Sequence, residues 1–323
     1  MRIFYVFVAL LFISCSKTNK LEETSCMPIE AYKPIPPYNL RGMGYKYVPL
    51  LNINCTYPCL NPLNENEFAY IRQLNSNIEL CVYNRSSKSN ISILQLKNKK
   101  YEGIPASYVR WSKKNWLLFE DLYNNIFKIK PNGDSLTQLT FSRSDFNPEW
   151  NNKGTLFCTE HLTFDKKYIT IIRDEKGDAL DTIQYGNIQT ISGIPSWNND
   201  RYIFGSNYDG FLLIDYMFKN VIQIPTNIKD AGEPYWINEN EIIYSNHIEG
   251  IYTFNIKNYT TKKLRQISNA NQYSFISLLP NNNFLCERNY FELIDSINGI
   301  IAYKTTICII NTCDTVITDF DLK

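Results

Sequence analysis

The two histidines of this 323-residue chain hold matching positions in a recurring sequence pattern. His161 lies 11 residues after Trp150, and His247 lies 11 residues after Trp236. Histidine titrates close to neutral pH, so it serves in acid–base chemistry, in metal binding and in polar recognition. The shared offset predicts that both histidines come just past the second strand of a repeated unit, in a loop on one face of the fold.

Other side chains suited to recognition share this placement. Tyr208 and Tyr290 hold the same 11-residue offset from the corresponding residues of their own units. Asp145 and Asp230 lie in the predicted loops between units, each 3–4 residues before a proline. Together with His161 and His247, these residues predict a ring of polar and aromatic groups that can stack on sugars or bind peptide groups.

Three interpretations of this ring remain open at the level of sequence. It can be a binding face, it can be a metal or catalytic site, or its members can be solvated and capping loop residues. Two histidines in separate units lie far apart for one metal ion, and the cysteines and histidines lack zinc-site spacing. We therefore predict no metal and no cofactor.

Motifs that carry a nucleophile or a phosphate-binding loop are absent from the sequence. There is no Gly-x-Ser-x-Gly elbow and no P-loop. The carboxylate pairs Glu120-Asp121 and Asp174-Glu175 fall at predicted strand ends, where solvated turns are expected. We assign no catalytic residue and predict a non-catalytic binding scaffold. The alternative is a glycan lyase or hydrolase that uses His161 and His247.

The elements that must position these residues are clearest in one stretch, which runs from 138 to 160. The residue before Pro148 is restricted to extended geometry, so Trp150 ends a short strand. Residues 151–154, Asn-Asn-Lys-Gly, favour a tight turn because Asn and Gly tolerate positive φ. Residues 155–159, Thr-Leu-Phe-Cys-Thr, are rich in β-forming side chains and predict the next strand.

The same strand–turn–strand unit recurs along the chain. Its anchor residues are Pro62, Trp111, Trp150, Trp197, Trp236 and Leu279. The gaps between them are 49, 39, 47, 39 and 43 residues. A period of this size with short strands is typical of a β-propeller. We predict an all-β, six-bladed propeller of four-stranded antiparallel blades, in which each tryptophan packs between adjacent blades.

The run Asn147-Pro148-x-Trp150-x-x-x-Gly154, followed by an apolar strand, resembles the WD-like repeat of the TolB-type propellers. The resemblance covers six repeats from Cys55 to the C-terminus, although most copies lack the Asp-Gly turn typical of that family. It implies a propeller of the bacterial cell envelope. TolB itself has an additional N-terminal domain for which this chain has no room, so its partners are not implied.

The N-terminus predicts export. Arg2 precedes an unbroken apolar run from 3 to 13, which is too short to span a bilayer but fits a secretory leader. The residues Phe-Ile-Ser-Cys at 12–15 resemble a bacterial lipobox, which implies lipidation of Cys15. An ordinary signal peptide or a short anchor is the alternative. The predicted organisation is a lipoprotein signal peptide at 1–14, a proline-containing tether at 15–40 and a propeller at 41–323.

Charge and location restrict the partners. Without the leader the chain carries 32 basic and 32 acidic residues, and this balance argues against a nucleic-acid partner. The predicted anchor places a monomeric propeller at a membrane of the cell envelope, the outer membrane being favoured. The expected partner is an envelope protein, a peptide or a glycan.

Nine cysteines add a prediction about covalent structure. Disulfides form in the compartments that exported proteins reach. Cys308 and Cys313 flank a short predicted hairpin loop and can form a bridge. Cys81, Cys158 and Cys286 fall within strand-like runs, where we expect small buried side chains.

A propeller must also close its ring so that no sheet edge is left unpaired. We expect the segment 45–51 or the segment 315–320 to complete a blade formed by the other end of the chain.

Overall fold

The structure is a computed structural model. It describes residues 46–49, 53–74, 77–96, 108–121, 123–185, 196–198, 201–207, 210–225, 232, 234–246, 250–266, 271–280, 283–295, 300–311, 316–320 and 322. The predicted signal peptide, Cys15 and the tether lie outside these residues, and the predictions about them stay predictions.

The chain forms six β-sheets in sequence order, and each sheet is one blade of a propeller. Strand β1 comprises Lys46–Pro49. Blades 1 to 3 comprise β2 (Ile53–Leu60), β3 (Glu67–Leu74), β4 (Asn77–Asn84), β5 (Ser89–Leu96), β6 (Arg110–Trp111), β7 (Leu117–Glu120), β8 (Ile126–Ile129), β9 (Thr137–Gln138), β10 (Asp145–Trp150), β11 (Leu156–Leu162), β12 (Tyr168–Asp174) and β13 (Ala179–Gln184). Blades 4 to 6 comprise β14 (Ser196–Asn198), β15 (Tyr202–Asn207), β16 (Gly210–Asp215), β17 (Asn220–Pro225), β18 (Tyr235–Asn238), β19 (Glu241–Asn246), β20 (Gly250–Asn255), β21 (Thr260–Gln266), β22 (Asn271–Leu278), β23 (Phe284–Asp295), β24 (Ile300–Ile310) and β25 (Val316–Asp319). The prediction of an all-β, six-bladed propeller with four-stranded antiparallel blades is confirmed.

The core lies between the blades. Six hydrophobic clusters form it, one for each pair of neighbouring blades. Phe68 of blade 1 and Leu285 of blade 6 share one of these clusters, so the first and last blades pack together as the others do. The middle strands are covered on both faces by these clusters, and in β16 all six residues are buried.

The tryptophans occupy these inter-blade clusters, as predicted. Trp111, Trp150 and Trp197 are 6%, 4% and 6% exposed, and each packs against side chains of the preceding blade. Trp236 is half-buried and contacts Phe204 of blade 4 edge to face, with ring centroids 5.9 Å apart. The aromatic corner of the repeat is therefore the part that joins one blade to the next.

The alignment of the first and last repeats was wrong. Leu60 pairs with Phe68 and Leu278 pairs with Phe284, just as Trp150 pairs with Phe157. The true anchors are thus two residues before Pro62 and one residue before Leu279. Leucine gives no aromatic signal to align by, and Pro62 belongs to the turn that follows its strand.

Both ends of the chain close the ring in blade 6. Strand β24 pairs with β23 along one edge, while its other edge receives β1 in parallel and β25 in antiparallel orientation. Both segments proposed for ring closure therefore take part, one at each end of β24. Closure covers an edge that would otherwise present unpaired backbone groups.

Candidate functional site

The first strand of each blade lines the central channel of a propeller, and we call it the inner strand. Among the residues that the structure describes, Tyr57, Tyr108, Asn147 and Phe275 lie three positions before the anchor of their inner strand and have positive φ. Register shifts mark a bulge at three of them, in β2, β10 and β22. Positive φ is uncommon for such residues, and a bulge redirects the strand. In these blades the inner strand therefore bends shortly before its anchor residue.

Buried glutamates support these bulges from the neighbouring blade. The backbone N–H of Tyr57 donates to Glu287 Oε2 of blade 6 at 3.0 Å, and that of Asn147 donates to Glu120 Oε2 of blade 2 at 3.3 Å. Asn147 Nδ2 also donates to Glu160 Oε2 at 2.6 Å. Glu120 is 5% exposed, so its interpretation as part of a solvated turn was wrong. Its neighbour Asp121 does form the turn, where it accepts backbone hydrogen bonds.

His161 and Asp145 form a hydrogen-bonded pair at the start of the inner strand of blade 3. Both residues lie within strands, directly opposite each other in β10 and β11, and not in the loops where we expected them. His161 Nδ1 lies 3.0 Å from Asp145 Oδ1, and Arg173 Nη2 donates to the same oxygen at 3.0 Å. Ser142 Oγ donates to Oδ2 at 2.5 Å. Thr159 Oγ1 donates to Oδ1 at 3.5 Å. The carboxylate therefore joins four side chains.

The electrostatics of this network favour a fixed negative charge. Asp145 is fully buried, and burial alone would raise the pKa of its carboxyl group. The hydrogen bond from Ser142 and the positive charge of Arg173 outweigh burial, and the pKa of Asp145 is lowered. Such a group is a stable counter-charge that orients its neighbours. Arg173 was missed because nothing in the repeat pattern singles it out.

The rest of the predicted ring stays a prediction. Tyr208, His247 and Asp230 lie outside the described residues. Tyr290 lies in β23 opposite Asn271 along the backbone. The catalytic alternative, which requires His161 and His247 to act together, is therefore untested.

A cavity opens at the opposite end of the inner strands. Strand β10 runs from Asp145 to Trp150, a distance of about 17 Å at the usual rise per residue, so the cavity and the His161 pair belong to opposite ends of the channel. The cavity has a volume of about 380 Å³. Residues from five blades line it: Pro62, Trp111, Ser112, Lys113, Glu149, Trp150, Asn151, Asn152, Ser196, Trp197, Tyr235, Trp236, Ile237, Asn238 and Glu239.

The rim of the cavity is formed by the turns that join the first and second strands. In blade 3 the backbone N–H of Gly154 donates to the carbonyl of Asn151 at 2.9 Å, which confirms the tight turn predicted there. Gly154 has φ +66°, and an added Cβ would lie 3.0 Å from Ser112 Cβ of the neighbouring blade. Glycine at this position lets two rim turns approach closely.

We call the position just before the anchor in blades 1 to 5 the inner wall; its residues are Cys59, Arg110, Glu149, Ser196 and Tyr235. Glu149, Ser196 and Tyr235 line the cavity directly. Arg110 Nε and Glu149 Oε2 form an ion pair at 2.6 Å. Trp111 N donates to Cys59 Sγ at 3.2 Å, and Tyr235 is 42% exposed. These residues occupy the same position in the aligned repeats, directly before the anchor. Nothing in their residue types singled out that position in the sequence.

Burial governs the ionisation of this inner wall. It raises the pKa of Glu149 to about 7, although Arg110 opposes the rise. It also raises the pKa of the Cys59 thiol to about 11, so this thiol is protonated and unreactive at neutral pH. The wall therefore combines an apolar tryptophan surface with one carboxyl group that titrates near neutrality.

Within the part of the chain that the structure describes, no three His, Cys, Asp or Glu side chains are arranged to hold a metal ion. In the same residues, no helix has the length and hydrophobicity needed to cross a membrane.

The fold is similar to that of solved structures at low sequence identity. No family model matches the chain, and no curated protein matches it. A chain of a nidogen/laminin complex is similar with a TM-score of 0.51 and 6% identity, over 65% of this chain and 78% of that chain. A chain of a mitotic checkpoint complex is similar with a TM-score of 0.54 and 11% identity, over 92% of this chain and 98% of that chain. At these identities the likeness shows the fold alone.

Proposed function

We propose that this protein is a non-catalytic binding scaffold, and that it holds a peptide segment of a partner protein at the cavity end of its channel. The observation that carries the proposal is the convergence of side chains from five blades on one cavity of about 380 Å³. Ligand sites are concave, and a few placed polar groups in them fix the orientation of the bound group. This cavity combines four tryptophans with Glu149 and the asparagines of the rim, so polar and apolar side chains line it in similar number.

The exposure of the aromatic rings favours a peptide over a glycan. Sugar binding needs open ring faces, but Trp111, Trp150 and Trp197 are each at most 6% exposed. Tyr235 is the aromatic residue of the inner wall and is 42% exposed as a whole, although burial of its hydroxyl raises the pKa of that group. A cavity with closed aromatic walls accepts an inserted side chain, while rim amides such as Asn152 can bind peptide backbone groups.

The test is photo-crosslinking in the native cells. A photoreactive residue is placed at Asn152 on the rim, and the control carries it at Lys166, an exposed position at the His161 end. We expect one dominant adduct from position 152, and we expect Tyr235→Ala to abolish it. The control variant Tyr123→Ala changes a 46% exposed residue in a loop of blade 2 and should leave the adduct intact. An equal yield of the same adduct from position 166 would contradict the proposal, and so would an adduct with a glycan.

We further propose that the protein is a TolB-like lipoprotein of the cell envelope, attached at Cys15 and favouring the outer membrane. The support is the apolar leader at 3–13 followed by the lipobox-like residues 12–15. Metabolic labelling with a clickable fatty acid should mark the wild-type protein and not Cys15→Ser. Equal labelling of the two, or no labelling of either, would overturn this assignment.

A further inference from the structure

Two cysteines of blade 6 face each other across neighbouring strands. Cys286 in β23 and Cys308 in β24 are direct partners in the antiparallel register. Their sulfur atoms lie 3.6 Å apart, and both residues are fully buried. This distance joins the side chains of residues that are 22 positions apart in sequence.

The backbone geometry suits a disulfide. Directly opposite residues in an antiparallel pair have Cα atoms about 4.5 or 5.5 Å apart, according to the type of pair. Both values fall within the range of about 4.4–6.8 Å found for disulfides. Closing the gap from 3.6 Å to a bond of about 2.05 Å requires rotation of the two side chains and little movement of the strands.

The other described cysteines are placed differently. Cys55 and Cys81 share a cluster, but their cross-strand partners are Arg72 and Tyr70. Cys59 lies opposite Ala69. Among the described residues, the 286–308 pair is thus the one in which register places two sulfur atoms side by side.

We propose that Cys286 and Cys308 form a disulfide bond in the exported protein. The proposal rests on the export part of the proposed function, because an oxidising compartment must supply the oxidant. That oxidant is a disulfide of a small thiol or of a thiol oxidoreductase. One cysteine thiolate attacks this disulfide and forms a mixed disulfide, with release of one carrier thiol. The second cysteine then displaces the other carrier thiol, so the protein loses two electrons and two protons and the carrier gains them.

The burial of the pair sets the order of events. Neither sulfur is accessible once blade 6 has packed against its neighbours. Exchange must therefore occur before the ring closes, and the finished bond is shielded from reductants. The predicted bridge of Cys308 to Cys313 competes for the same thiol, and Cys313 lies outside the described residues.

The bond would strengthen ring closure. Cys308 has Cys286 on one side and Asp319 of β25 on the other. A bridge at this point ties β24, the strand that receives both ends of the chain, to the remainder of its blade. It leaves the cavity unaffected, because the lining residues come from blades 1 to 5.

The first test is peptide mapping. Full-length protein from native cells is quenched in acid, denatured, alkylated without reduction and digested. We expect a linked peptide pair that contains Cys286 and Cys308, while Cys158, a buried thiol of blade 3, is alkylated in the same sample. A peptide that links Cys308 to Cys313, or alkylation of both Cys286 and Cys308, would overturn the proposal.

A second test separates this chemistry from export. Reduced, unfolded protein is refolded in a buffer of oxidised and reduced glutathione and then compared with the double variant C286A/C308A. The refolded wild type is then unfolded, reduced and refolded in the presence of reductant. Its Tm should be roughly 5–10 °C lower than that of the oxidised protein, the effect expected for a loop of this size. The double variant should show no such change, and C158A should behave as the wild type does. An equal response to reductant in the double variant would exclude the bond even if export is correct.

Discussion

At the end of the channel where β10 begins, Asp145 is fully buried and its oxygens accept hydrogen bonds from Ser142, His161 and Arg173. At the end where β10 finishes, Glu149 pairs with Arg110 beside a cavity of about 380 Å³. The first region uses charged groups to hold strands together. The second leaves polar groups at the surface of a cavity. The His161–Asp145 pair, whose residue types suggest chemistry, thus stabilises the fold at one end. At the other end, residues of the structural repeat form the candidate site.

The largest expected effect contrasts the two ends directly. Trp150→Ala removes a 4% exposed ring from an inter-blade cluster and should lower the free energy of unfolding by about 4 kcal/mol. His161→Ala removes one hydrogen bond from a ring that is 22% exposed, and should cost about 1 kcal/mol. Urea unfolding of both variants measures the difference. Equal destabilisation would mean that the two residues play the same structural role.

Substitution of Asp145 and of Glu149 should affect the free energy of unfolding to different extents. Asp145→Ala leaves Arg173 in a buried site without its counter-charge and should cost about 3 kcal/mol. Glu149→Gln keeps a hydrogen-bond acceptor for Arg110 and removes a carboxyl group whose pKa is about 7, so it should cost less than about 1 kcal/mol at pH 7. The same unfolding measurement applies. A larger cost for Glu149→Gln would identify the cavity wall, and not the Asp145 network, as the more rigid region.

The pH dependence of the free energy of unfolding should reflect two buried glutamates, Glu149 in the inner wall and Glu160 beside the bulge at Asn147. Burial raises the pKa of Glu160 from 4.5 to about 8 and that of Glu149 to about 7. Between the ordinary and the raised values the folded protein binds a proton that the unfolded chain has lost, so stability falls as pH rises through this range. Glu160→Gln removes this ionisable group and should make the protein more stable than wild type at pH 6 by about 2 kcal/mol, with a larger difference at pH 8. Thermal unfolding from pH 5 to pH 8 measures the slope. Parallel slopes for wild type and variant would show that Glu160 ionises normally.

Sequence reasoning recovered the fold because the repeat has a physical cause. A large aromatic side chain must fill the space between blades, so tryptophans recur at the blade period and remain visible without an alignment. The same reasoning failed at Pro62 and Leu279, where leucine performs the task and gives no aromatic signal. Closure by the two chain ends was predictable from the cost of an open sheet edge.

The site was harder to predict than the fold. Its inner wall lies one position before each anchor, and its members (Cys, Arg, Glu, Ser and Tyr) share no chemistry that a repeat search would detect. Glu120 appeared to belong to a turn because Asp121 follows it, yet a distant backbone N–H in the next blade holds it in the interior. Such partnerships depend on the neighbouring blade, so the local sequence carries no sign of them.

The parallel pairing of β1 with β24 has a mechanical consequence. Four residues of β1 lie in register with Ile300 to Tyr303 of β24. A pull on the chain that precedes Lys46, directed along the strand, would load these backbone hydrogen bonds together in shear, and they would not open one after another as in a zipper. Blade 6 would therefore bear a force applied to the N-terminal side of the chain. The β1–β24 hydrogen bonds would have to break together before that force reached blade 1.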